Sequence, residues 1–254
     1  MSFSVKQIIS DLKALGIKSG DTIMMHSSYK SLGEIDGGAK TLFDGIFTVL
    51  GENGTLVMPA FSFDTVDANN PHFNKLTTPC CVGYLPEFFR TNLNGVERSV
   101  HPTHSCTAKG RLAKELTCEH YKDLTPVGKN SPITKLKQVN GKILFLGCSS
   151  DRNTSIHGVE ELTVPPYLFE KEKTDFYIND GEKVMVATHT THRHFIQHYS
   201  KIEQLLKKGE IERGKVLKAD CVLLNAKAVW EKGNAKLKED PFFFVDKNEC
   251  LKGI

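Results

Sequence analysis

Three short apolar runs most constrain how this chain folds: TIMMH at residues 22–26, TLVMPAF at 55–61 and KILFLGC at 142–148. Each is short, and the second and third follow turns at Gly51–Gly54 and Asn140–Gly141. They read as buried strands. Between the first two, Ala39, Leu42, Phe43, Ile46, Phe47 and Leu50 recur with the period of one helix face, and a further helix is predicted over residues 5–15, ending at Gly16. Strands alternating with helices predict an α/β fold: a single domain over residues 1–254, with a central mixed sheet flanked by helices and a strand-rich C-terminal appendage. That appendage is read from KVMVATH, a helix near 194–208 and the run VLKADCVLLNAKAV. Residues 62–82 show neither period and carry prolines and polar groups, which marks a long loop of the functional kind.

Composition narrows the classes of function. Charged residues make up 25% and hydrophobic residues 39% of the 254 positions, and the net charge of +3 is too slight to imply a nucleic-acid partner. Lys6, Asp11 and Lys13 interrupt the first helix, so it is neither a signal peptide nor a membrane span, and a cytoplasmic location is expected. The seven cysteines form no C-x-x-C pair and fit reduced thiols.

Four segments concentrate chemically useful side chains. HSSYKSLGEIDGG, residues 26–38, joins a strand to the strongest helix with small hydroxyl residues and glycines, and such a turn offers N–H groups to an anionic or carbonyl ligand. It contains neither a Walker loop nor G-x-G-x-x-G. RSVHPTHS, residues 98–105, and HTTHRH, residues 189–194, collect His101, His104, His189, His192 and His194. With Glu161 these are imidazole and carboxylate donors of the zinc-binding type, but without H-E-x-x-H or finger spacing. SIHGVEE, residues 155–161, puts Glu160 and Glu161 three and four positions after His157, on the same helix face. Two readings stand: a solvated polar helix face, or a catalytic imidazole with a carboxylate that fixes its tautomer.

Taken in order, MHSSYKSLG, NGTLVMPAFSF, RSVHPTHSCTAKG and GKILFLGCSSDRNTSIHGVEE resemble the aminoglycoside 3-N-acetyltransferase family, the antibiotic acetyltransferases that lack the GNAT fold. The resemblance runs from near residue 16 to about residue 162, with a looser echo in GEIERGKVLKADCVLLNAKAV. It implies transfer of acetyl from acetyl-CoA, as cosubstrate and without a metal, to an amine of an aminoglycoside or related amino sugar. By position, His157 is then the general base and Glu160 its orienting carboxylate. Ser27, Ser28, Ser31, Leu32 and Gly33 match the turn along the pantetheine arm of CoA; Arg98, Ser99, Thr103 and Ser105 match the segment beside cofactor and thioester. Asp64, Asp67 and Asp151 match acidic positions that meet a cationic acceptor. The alternatives are a metal-dependent hydrolase built on the histidine clusters, or a CoA-binding relative with a non-aminoglycoside acceptor.

Overall fold

The computed structural model describes residues 2–251. Among these residues ten strands run in chain order as β1 Thr22–Ser27, β2 Thr55–Pro59, β3 His72–Asn74, β4 Glu97–Arg98, β5 Cys106–Gly110, β6 Lys142–Leu146, β7 Phe169–Asn179, β8 Val184–His192, β9 Ile211–Val216 and β10 Ala219–Asn225. The helices are α1 Val5–Ala14, α2 Gly38–Leu50, α3 Tyr84–Asn92, α4 Ala113–Thr117, α5 Pro132–Lys135, α6 Ser155–Thr163, α7 Ala226–Glu239 and α8 Lys247–Cys250.

Seven strands form the central sheet in the order β4-β5-β2-β1-β6-β10-β9. Strand β1 lies parallel to β2 and β6, while β5 and β10 close on either side antiparallel. The sheet is mixed, and both faces are covered. Alternate residues of each strand enter opposite cores: Ile23, Met25, Leu144 and Leu146 meet α1, α2 and α3, whereas Met24, Ile143 and Phe145 meet α4, α5, α6 and α7. Fully buried side chains such as Phe43 and Phe145 each stabilise the fold by roughly 1.5–3 kcal/mol.

The C-terminal third differs in detail from its sequence reading. The helix near 194–208 is a 3-10 turn over Tyr199–Leu205. VLKADCVLLNAKAV supplies β10, which pairs with β6 inside the central sheet, and then begins α7. The strand-rich addition is the three-stranded sheet β3-β7-β8, built on a hairpin whose inner face packs Phe176 and Ile178 against Phe73 and Val66. The long loop 62–82 contributes the edge strand β3 to it.

The placement of α6 follows from its neighbours. Gly158 leaves room for the Trp230 ring of α7, where any side chain would collide, so the two helices pack closely. The helix stops at Val164, which takes a left-handed conformation (φ 47°) ahead of Pro165 and Pro166. Among the described residues no helix is long and apolar enough to cross a membrane, and all seven cysteines are free.

Candidate active site

The parallel strands β1, β2 and β6 all end on one edge of the sheet, where ligand sites of open α/β sheets form. Ser27 and Ser28 at the end of β1 and just beyond it, Phe61, Phe63 and Asp64 after β2, and Cys148, Arg152 and Thr154 after β6 line a cleft of about 590 Å³ there. A second cleft of about 840 Å³ lies between the loop after β2 and the β7–β8 hairpin. Phe63, His104, His157 and Gln197 line both, so the two clefts meet at these side chains.

His157 sits in the first turn of α6, 8% exposed, and Glu160 lies one turn on, fully buried. The Tyr167 hydroxyl donates to Glu160 Oε1 at 2.8 Å and the Tyr199 hydroxyl to Oε2 at 2.7 Å. Burial first, and then the Glu160 charge, raise both phenols above their ordinary pKa, so both stay protonated donors. The Tyr199 oxygen is also 2.9 Å from His157 Nδ1. Its single proton goes to Glu160, so towards the imidazole it acts as acceptor, which places the ring proton on Nδ1. The lone pair of His157 is left on Nε2, facing the Gln197 amide at 3.3 Å where the clefts join. Glu160 Oε2 is itself 3.3 Å from Nδ1.

Glu161 points elsewhere. Its carboxylate accepts from the Thr125 hydroxyl at 2.6 Å and the Val127 N–H at 2.7 Å, and meets His192 Nε2 at 2.9 Å. Burial pushes its pKa up to about 7 against these donors. The His192 ring packs 4.7 Å from that of His157.

The other sequence-derived positions divide into groups. Ser27, Ser28 and Asp64 line the smaller cleft, and Thr103 and Asp67 the larger. Ser31 closes the turn by donating to the Ser28 carbonyl at 2.7 Å, Leu32 is a fully buried core residue, and Gly33 takes a φ of 83° beside Lys218 and Phe3; none of the three lines a cleft. Arg98 is buried, and its guanidinium donates to the carbonyls of Ala60, Lys75 and Thr78 and to Ser105 Oγ. Burial, then Arg90, lower its pKa to about 10. Ser105 donates to the Ala60 carbonyl, and Ser99 Oγ accepts from the Cys106 N–H and contacts His120. Arg98 and Ser105 thus brace the segment after β2, while Ser99 is tied to Cys106 and His120, and none of the three lines a cleft. Asp151 accepts from the Ser200 N–H at 2.8 Å, which ties the 3-10 turn to the loop after β6, and it too lines neither cleft.

Tyr167, Tyr199 and Gln197 escape sequence reasoning. Tyr167 and Tyr199 lie 7 and 39 positions from Glu160, and Gln197 lies 40 from His157, along the chain, and no local motif joins them. Among the described residues no three His, Cys, Asp or Glu side chains are arranged to hold a metal ion. His101 is instead fixed by the Thr125 carbonyl and by the N–H groups of Thr103 and His104, and His189 is buried against His101 and Phe176. His194 lines the larger cleft.

Fold and site together define an α/β protein whose two clefts meet at a pair of histidines, His104 and His157. A family model described as Aminoglycoside 3-N-acetyltransferase matches residues 24–238. Aminoglycoside N(3)-acetyltransferase IV of Salmonella sp is 27% identical over 242 residues, 94% of this chain and 89% of that protein. Aminoglycoside N(3)-acetyltransferase III of Pseudomonas aeruginosa is 30% identical over 239 residues, 86% of this chain and 88% of that protein. Of solved structures, the YokD protein from Bacillus subtilis superposes with a TM-score of 0.83 at 25% identity over 96% of both chains. The structure described as AAC-IIIb binary with CoASH gives 0.81 at 25%, over 94% of this chain and 97% of that one. The chain belongs to the aminoglycoside 3-N-acetyltransferase family and is an acetyltransferase enzyme.

Proposed function

We propose that this enzyme transfers acetyl from acetyl-CoA to an amine of an aminoglycoside or related amino sugar, with His157 as general base and Glu160 as its orienting carboxylate. The observation that carries this reading is the imidazole whose Nδ1 is held by the Tyr199–Glu160 pair while Nε2 faces the junction of two clefts. Amine attack on a thioester needs a free nitrogen lone pair, so the site must take a proton, and the Nε2 lone pair takes it in place of its 3.3 Å contact with the Gln197 amide. The fixed Glu160 charge then stabilises the imidazolium through the tyrosine hydroxyl.

The smaller cleft suits the pantetheine arm. Its wall holds the small Ser27 and Ser28, and the hydroxyls of Ser27 and Thr154 are buried there without a hydrogen-bond partner. Unsatisfied hydroxyls of this kind suit a ligand carrying amide groups. The larger cleft then receives the amine. Its charged lining is Asp67, Glu170, Glu172 and Asp175 against Lys171, Lys173 and Arg193, a nearly balanced set. This favours an acceptor with few ammonium groups as a second reading of substrate range. The test is release of CoA thiol from acetyl-CoA across a panel of aminoglycosides, amino sugars and simple amines. Amine-dependent release is expected; an enzyme that binds acetyl-CoA but releases thiol with no amine contradicts the proposal.

A further inference from the structure

His104 shares with His157 the junction of the two clefts, although neither its position before β5 nor its metal-ligand reading in the sequence assigns it a part in acetyl transfer. Its ring is wedged against Phe61 at 4.7 Å and Phe63 at 5.7 Å, and stands edge-on to the His157 ring with centroids 6.3 Å apart. Its backbone is pinned by the His104 N–H donating to His101 Nδ1 at 3.0 Å. The side chain is therefore fixed on both sides.

The polar atoms of His104 have distinct surroundings. Nδ1 lies 2.9 Å from Thr103 Oγ1. Among the described residues the Thr103 hydroxyl has no other acceptor for its proton, so the arrangement that leaves fewest groups unsatisfied has Thr103 donating to Nδ1 and the ring proton on Nε2. Nε2 makes no hydrogen bond within the described residues and is not one of the buried atoms lacking a partner, so it opens onto the clefts. Burial first, then His192 and His157, keep the ring well below its ordinary pKa and hence neutral. A neutral imidazole with its N–H aimed at a reaction junction is a hydrogen-bond donor that does not lose its proton to the base beside it.

We propose that His104 is a further catalytic residue, the donor that holds the thioester carbonyl oxygen of acetyl-CoA during transfer, and that Thr103 is its positioning residue. This rests on the reading of the site as an acetyl-CoA-dependent transferase. The amine nitrogen bonds the carbonyl carbon, and the C=O π pair moves onto the oxygen that His104 Nε2–H holds. Return of that pair breaks the C–S bond. The sulfur leaves with the bonding electrons and takes the proton that His157 removed from nitrogen, giving the amide and the CoA thiol. His104 and His157 thus act on opposite ends of the same bond change, one as donor and one as base.

The experiment combines kinetics with the infrared carbonyl band of carbon-13-labelled acetyl-CoA bound to the enzyme, and uses His104→Ala, His104→Gln, Thr103→Val and His157→Ala. In the wild type the bound band is expected below its free-solution frequency. His104→Ala should return it towards that frequency and lower kcat by roughly 10²–10³-fold, with acetyl-CoA Kd changed by less than about threefold. Thr103→Val should move both readouts the same way by less, and His104→Gln, which keeps an N–H donor, should recover part of each. His157→Ala should lose turnover yet keep the wild-type band. A wild-type band at the free frequency, or full turnover in His104→Ala, overturns the proposal. Turnover that survives His157→Ala while His104→Ala loses it overturns the base assignment and leaves this one standing.

Discussion

Helix α6 carries two histidine–carboxylate pairs side by side, and they differ in what lies beyond the imidazole. At Glu160 the carboxylate is fully buried under two tyrosine hydroxyls, one of which bridges to His157 Nδ1, and the far nitrogen of His157 faces the meeting of two clefts. At Glu161 the carboxylate meets His192 Nε2 directly, and His192 Nδ1 is buried without a partner. Both pairs use the same residue types. What separates the two pairs is the outward nitrogen: His157 Nε2 faces the junction of the clefts beside the Gln197 amide, whereas His192 Nδ1 ends in the protein.

The strongest way to break this comparison is to remove the imidazole. His157→Ala should lower kcat by roughly 10²–10⁴-fold, the range for a general base, while CoA affinity measured by calorimetry hardly changes. Comparable turnover in this variant would erase the distinction between the pairs. Next comes the cleft that His157 faces. Ser28 lies on its wall just beyond β1, so Ser28→Trp should weaken CoA binding by roughly tenfold or more through steric exclusion, with calorimetry on the folded variant as the check.

The Glu161 pair is sharpened by pH. Its folded pKa of about 7 lies above the ordinary 4.5, so between those values the native state holds a proton that the unfolded chain has released. Stability contributed by the neutral carboxyl is present below pH 4.5 and is lost as pH rises through 7. Glu161→Gln keeps the shape and removes the titration. Thermal melts of this variant should vary less between pH 4.5 and 7, and above that it should exceed the wild type by at most about 3 kcal/mol. The buried histidines work oppositely: His26 and His189, lowered to about 4 by burial, lose their stabilising neutrality as pH falls below 6.5.

The smallest effect separates two aspartates that the sequence treats alike. Asp67 is exposed on the larger cleft, so Asp67→Asn should raise the acceptor KM about two- to fivefold, less at high salt, and leave that of acetyl-CoA alone. Asp151 lines neither cleft and holds the Ser200 N–H. Asp151→Asn should leave both KM values unchanged and lower stability by about 1 kcal/mol, read from denaturant melts.

The contrast also explains what was legible in the chain. Strands β1, β2 and β6 and helix α2 announce themselves because burial on both faces, or on one stripe, is written into neighbouring residues. His157 and Glu160 are readable for the same reason, since a helix turn brings them together. Tyr199 completes the pair from a 3-10 turn far along the chain, and only tertiary packing brings it there. Helix α7 was concealed by its lysine-rich surface, although Ala226, Val229, Trp230, Gly233 and Leu237 give it a buried stripe. Arg98 and Asp151 show the converse: motif position put them near the site, but the carbonyls and N–H groups that occupy them became visible only in three dimensions.

The most direct measurement sets the two carboxylates against each other: kcat of Glu160→Gln and Glu161→Gln at pH 8, where a Glu161 with a pKa of about 7 is ionised in the wild type. Glu160→Gln should lose at least about tenfold, because the charge that stabilises the His157 imidazolium is gone, and Glu161→Gln should stay within about twofold of the wild type. Equal losses, or a larger loss in Glu161→Gln, would contradict the assignment of Glu160 as the carboxylate behind the base.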